Sequence, residues 1–353
     1  MRSKGISSAA AMVAMIGVGG LLSCSGESPD DRFAVYLKRL ERTLETPHQP
    51  VRETLTPRPP RTGLIDIEIT GDSLDTLDFL ALRGCALQTT IGKRNSSLGR
   101  LAPASQRLLL ELEFLRLSPD CIVIQRNAGE QNLAETLERA RRNKQAQLPA
   151  LIFNATLGAA EYRSFWLPRH KPGDFPPVAS SVASAALTDI NALAARWLSG
   201  DYSADGTEFE LLLADVAGGD GGVLLQRMAR QADWLDIADQ ALKARLLRGP
   251  LCGPNLRHDA ATILPQVVRT YFVEGIQPQG AAMERRYFSL VPEVQQLENL
   301  LANVLPNPYK EWATERDRRF EVARNAPAAH VAQLQGILEP CTDSGLVGSA
   351  PPV

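Results

Sequence analysis

The chain has 353 residues, with 38 Lys and Arg against 40 Asp and Glu and a formal net charge of −2. That length fits one large domain or two ordinary ones. With no strongly basic domain, nucleic acid is not an expected partner, and past Leu22 no apolar stretch approaches the roughly 18 residues of a membrane span.

At the start of the chain, Arg2 and Lys4 precede 17 uncharged residues, Ile6 to Leu22. As a helix this run is roughly 25 Å long, at about 1.5 Å per residue, short of a bilayer core of about 30 Å. Charge, then apolar run, then small residues is the pattern of an export signal. "LLSC", Leu21 to Cys24, resembles the bacterial lipobox. That resemblance implies that residues 1–23 are removed and that Cys24 is acylated on its sulfur and on its new amine. Three acyl chains exceed the two signals that stable anchoring needs. An uncleaved signal anchor is the alternative. Ser25, where Asp would favour retention in the inner membrane, points to the periplasmic face of the outer membrane.

Residues 24–63 are expected to be a lipidated N-terminus, a short helix and a proline-rich strap. Ser28-Pro29-Asp30-Asp31 reads as a helix start, and Phe33, Leu37, Leu40 and Leu44 keep helical spacing. Pro47, Pro50, Pro57, Pro59 and Pro60 then predict an extended, semi-rigid segment, a spacer between lipid and body. In a first helical half, 64–175, Leu74, Leu77 and Leu80 have helical spacing, as do Leu108, Leu112 and Leu115 in a helix from Ser105 to about Leu117. A charged helix over Glu130–Gln147 follows, on Leu133 and Leu137. "YRSFWLPRHKPGDFPP", residues 162–177, breaks the pattern. In a second half, 176–341, stripes run through Leu187, Ile190, Leu193 and Trp197, through Phe209, Leu212, Leu213 and Val216, and from Leu224 to Leu242. Residues 267–291 read as two helices kinked around Pro278, with a hairpin as the alternative. Residues 342–353 read as a disordered tail. The fold class is therefore mainly α: an irregular multi-helix domain in two halves, with room for one short β-hairpin.

Five cysteines are present. With Cys24 assigned to lipid, Cys85, Cys121, Cys252 and Cys341 form an even set in an exported chain, which suggests disulfides with three possible connectivities. Cys85–Cys121 with Cys252–Cys341 is preferred, because each bridge then lies within one half. A zinc site is the rival, but there is no C-x-x-C, and His48, His170, His258 and His330 are scattered.

No nucleophile elbow, phosphate loop, zinc-protease or dinucleotide motif occurs, so no catalytic residue, metal or cofactor is expected. "DYSADGTEFELL", 201–212, begins like a calcium loop, but Leu212 stands where the bidentate Glu belongs; the alternative is a turn in which Asp205 or Thr207 caps the next helix. Gly218-Gly219-Asp220-Gly221-Gly222 reads as a flexible inter-helix turn. Two stretches suggest an interaction surface. In "GKRNSSLGR", 92–100, the donors of Arg94, Asn95, Ser96 and Arg100 could hold a carboxylate or phosphate, or could simply cap a loop. Phe165 and Trp166 could serve an interface, or could plug the seam between the halves.

"LRGCALQTTIGKRNSSLGRLAPASQRLLLELEFL", 82–115, with the later "GPLCGP" and "LPNPYKEW", is similar to an uncharacterised family of Gram-negative bacterial lipoproteins catalogued only as a domain of unknown function. The resemblance implies a lipobox at Cys24 and an envelope location. It implies no activity and no active-site residues. A non-enzymatic, membrane-anchored binding or scaffold module is therefore expected, with an envelope protein or cell-wall material as partner. The alternatives are an envelope hydrolase whose carboxylates the fold assembles, and a small-ligand carrier.

Overall fold

The structure is a computed structural model that describes residues 29–47, 50, 54–70, 82, 84–168, 182–254 and 256–342. The leader with Cys24, the helical spacing at Leu74, Leu77 and Leu80, residues 169–177 and the tail beyond 342 lie outside the described residues.

Helix α1, Pro29–Leu44, opens with Asp30 and Asp31 in its first turn, where the helix dipole favours acid. It is not held apart from the body. Phe33, Tyr36, Leu37, Leu40 and Leu44 are all buried, packed with residues from 234 to 341. Roughly 1.5–3 kcal/mol per large apolar side chain fully buried outweighs a helix left in water. Described residues of the proline-rich strap also touch the body. Arg248 donates to the Leu44 carbonyl and to Thr46, Thr54 donates to Asp233, and Trp312 Nε1 donates to the Pro57 carbonyl at 3.3 Å.

A short turn, α2 (Thr62–Ile65), leads to α3 (Leu87–Asn95), α4 (Ser97–Arg100), α5 (Ala104–Asn127), α6 (Gln131–Ala155) and α7 (Ala160–Trp166). Helix α5 runs ten residues past the end expected at Leu117, straight through Pro119. Proline removes the N–H that would bond the Leu115 carbonyl; the buried Ser118 hydroxyl donates to that carbonyl instead, at 3.3 Å. Then come α8 (Val182–Leu198), α9 (Gly206–Ala217) and α10 (Gly221–Leu246). The hairpin is at β1 (Cys252–Gly253) and β2 (Leu256–Arg257), pairing Cys252 with Arg257, and not within 267–291. That later region is helical: α11 (Ala260–Val267), a π-helical turn (Val268–Val273), and α12 (Gln277–Leu300), with Pro278 in its first turn. Helix α13, Asn307–Thr342, carries Pro327 and Pro340 inside it.

The largest core cluster joins Leu112, Leu151 and Phe153 to Leu187, Trp197, Phe209 and Leu224, so the chain on either side of residue 175 shares one core. A second cluster holds α1 against α10, α11 and α13. The third lies between α3, α5 and α6. Each of the latter two encloses a disulfide: Cys85–Cys121 in the third and Cys252–Cys341 in the second, with Cα atoms 5.5 and 4.9 Å apart. Loops of these lengths give about 4 kcal/mol each in the chain-entropy description.

Candidate functional site

Helices α3, α5 and α6, with the segment before residue 70, enclose a cavity of about 400 Å³. Its walls follow from helical spacing. Arg107, Glu111 and Phe114 stand at i, i+4 and i+7 on α5, and Ala140, Lys144 and Leu151 repeat along α6, so each set shares a face. Arg94, Asn95 and Arg100 come from α3 and α4. Asn154 fixes the covering segment, accepting from the Ile67 amide at 3.0 Å and donating to its carbonyl at 2.8 Å.

The cavity has an ionic floor. Glu111, buried at 5 % exposure, accepts from Arg94 Nε at 2.7 Å and from the ammonium of Lys144, itself 4 % exposed. The same ammonium lies 4.9 Å above the Phe114 ring, on the face where a cation is attracted. Asp66 is the other carboxylate of the lining, at the rim with Arg100 and Arg107. Four cations therefore face two carboxylates around apolar surface from Ile91, Phe114 and Leu151. Such a concave, largely preformed space, with a few placed polar groups, is suited to a small anion carrying an apolar portion.

Of the residues singled out in sequence, Arg94, Asn95 and Arg100 are brought together here. Ser96 is not part of the lining: its hydroxyl donates to the Lys93 carbonyl at 2.7 Å and accepts from Gly99 N at 3.0 Å, capping α4. Phe165 and Trp166 form no surface. They are 0 % and 2 % exposed and sit in the main core, because the glycines at 219, 221 and 222 leave room for them. Residues 218–220 are the turn between α9 and α10, as expected, but the run is packed against Phe165 and Trp166 rather than loose, and Asp220 within it forms a buried pair with Arg286. Asp205 caps α9, accepting from the amides of Thr207 and Glu208. Asp201 accepts from Ser203, which holds its carboxyl below the usual range. Among the described residues no group of three or more His, Cys, Asp or Glu side chains is placed to hold a metal ion.

Sequence reading missed Arg107, Glu111 and Lys144. The signal was there: Glu111 lies between Leu108 and Leu112 on the buried stripe of α5, and Lys144 continues the stripe Leu133, Leu137, Ala140 of α6. Charges at core-facing positions need partners.

Two other polar clusters are sealed. The hydroxyl of Tyr36, the imidazole of His330 and the carboxylate of Asp239 form a chain ordered like a hydrolase triad, with Tyr36 and His330 at 0 % exposure. Arg316 binds Glu298 through both terminal nitrogens, beneath Tyr162 and Tyr309. Burial first, and then the neighbouring carboxylate, raises the pKa of Tyr36 and Tyr162 above the ordinary phenol value. Neither phenol is a nucleophile at neutral pH.

A model of the family described as "Protein of unknown function (DUF3080)" matches residues 33–344. The chain belongs to this family. No curated protein and no solved structure matches it. The DUF3080 match begins inside α1 and ends just past α13, so it takes in every described core cluster, the cavity and both disulfides.

Proposed function

We propose that this DUF3080 protein is a lipid-anchored envelope lipoprotein, held through Cys24 on the periplasmic face of the outer membrane, that acts as a non-enzymatic binding module for an anionic ligand. The anchor reading is supported by the lipobox-like "LLSC" behind a charged, apolar leader. The binding reading is carried by one observation, the excess of cations over carboxylates around an apolar cavity. The hydroxyl–imidazole–carboxylate chain lends no support to a hydrolase, because a substrate has no route to it through the packed core.

Anilinonaphthalene sulfonate, an apolar ring system with one strong acid, tests the cavity. Saturable fluorescence enhancement is expected from the folded protein. Arg100→Glu and Arg107→Glu, both exposed at the rim, should each weaken it about tenfold, since charge-assisted bonds to anions are the strong ones. Equal affinity in wild type and both variants would overturn the binding reading. The anchor is tested separately by palmitate labelling of Cys24→Ser, which should be lost.

A further inference from the structure

Beyond the cavity, the structure assigns a second contact with the membrane: the corner formed by α4, bearing Leu98 and Leu101, docks on a bilayer surface rich in anionic phospholipid. Leu98 and Leu101 are 84 % and 85 % exposed. One exposed leucine needs no explanation. Here Leu98 on α4 and Leu101 just past its end stand three residues apart, on a corner where Asn95 to Leu98, Arg100 and Leu101 are all exposed. A bilayer accepts such side chains without a preformed groove.

The corner is rigid. Ser96 ties α4 back to Lys93, and a Cβ on Gly99 would overlap the carbonyl oxygens of Lys93 and Arg94. The leucines are thus presented in advance of binding, and little order has to be gained.

Charge identifies the occupant. In a chain of net charge −2, the 24 residues from Leu87 to Leu110 hold no Asp or Glu and four cations, Lys93, Arg94, Arg100 and Arg107. Arg94 is turned to Glu111; Lys93, Arg100 and Arg107 are exposed, Lys93 within 3.9 Å of Glu113 and Arg107 donating to the Ala102 carbonyl. Exposed apolar side chains in a segment with cations and no carboxylates are the pattern of a segment that inserts shallowly among acidic headgroups.

The test uses the chain from residue 24 with Cys24→Ser, which keeps every described element and has no acyl chain to dominate binding. It should co-sediment with vesicles of phosphatidylglycerol and not with vesicles of phosphatidylcholine, and release with added salt. Leu98→Asp with Leu101→Asp should abolish co-sedimentation while leaving anilinonaphthalene sulfonate affinity unchanged, because neither leucine lines the cavity. Lys93→Gln and Arg100→Gln should each weaken it about fivefold. Circular dichroism confirms that each variant is folded. Absence of binding to phosphatidylglycerol at low salt, equal binding to both lipids, or binding indifferent to the leucine changes would each overturn the assignment.

Discussion

The hydroxyl of Tyr36 meets Nε2 of His330 at 2.8 Å, across 294 positions of sequence. The other ring nitrogen lies 2.5 Å from Asp239. Burial keeps Tyr36 protonated, and the imidazole is held through both ring nitrogens, one to the phenol and one to the carboxylate. Three helices are fixed by this chain: α1, α10 and α13. Helix α1 is thereby locked into the body.

Tyr36→Phe keeps the ring stacked on Phe272, whose centroid is 5.8 Å away, and removes only the hydroxyl. His330 Nε2 is then buried without its hydrogen-bond partner. Urea unfolding should show a loss of about 1–3 kcal/mol. An unchanged midpoint would mean that the hydrogen bond is replaced or was never made.

Gly222→Ala should destabilise, although alanine is ordinarily favoured over glycine in a helix by roughly 0.5–1 kcal/mol. Its Cβ would collide with the backbone carbonyl of Trp166, which has no flexible end to move. Overpacking of this kind costs about 1–3 kcal/mol. Gly336→Ala is the control: it is also helical, with nothing within 4 Å of the added carbon, and should be neutral or stabilising. Thermal unfolding of the two variants should move in opposite directions or differ by several degrees.

These positions mark what was legible in the sequence. The stripes Phe33–Leu44 and Leu187–Trp197 were readable because helical burial is local and periodic. Both disulfide pairs were readable from parity and position. That the glycine run is packed rather than loose was not readable, because its packing is set by Phe165 and Trp166, more than fifty residues away. The continuation of α5 through Pro119, where the Ser118 hydroxyl takes the Leu115 carbonyl, ran against the usual rule that proline ends a helix. Of the cavity, the cations of α3 and α4 are legible as donors, but Glu111 and Lys144 are not, since each is explained only by partners on other helices.

The pH dependence of α13 has a named source. Glu315 accepts from Arg318 and Arg319, and these bonds lower its pKa to about 2 from the model-compound 4.5. A lowered carboxylate pKa contributes stability above the unfolded value and loses it as pH falls through the folded one. The contribution should therefore be complete above about pH 4.5, within the usual carboxylate range, and vanish near pH 2. The group is close to solvent, so the effect should be small and reduced by salt. Glu315→Gln should flatten the acid limb of the stability profile in that window, measured at low ionic strength. A profile identical to wild type would remove Glu315 from the account.

Arg316 is the costliest residue to disturb. Its side chain is fully buried, its guanidinium lies 5.0 and 5.1 Å from the ring centroids of Trp166 and Trp312, and Glu298 takes both terminal nitrogens at 2.8 and 3.0 Å. Burial opposes the charge, but Glu298 outweighs it and holds the guanidinium above its usual pKa. Lysine cannot supply the two-pronged bond or the planar stack, so Arg316→Lys should be nearly as damaging as Arg316→Met. Arg316→Met leaves Glu298 buried with Tyr309 as its remaining donor, a loss of about 3–5 kcal/mol. Removing the carboxylate as well, with Glu298→Leu in the Arg316→Met background, takes away the unpaired charge that causes most of that loss. The double variant should therefore be more stable than Arg316→Met alone, and the cycle should show a coupling of about 1–3 kcal/mol. Strict additivity of the two single changes would mean that the buried pair is not formed in solution.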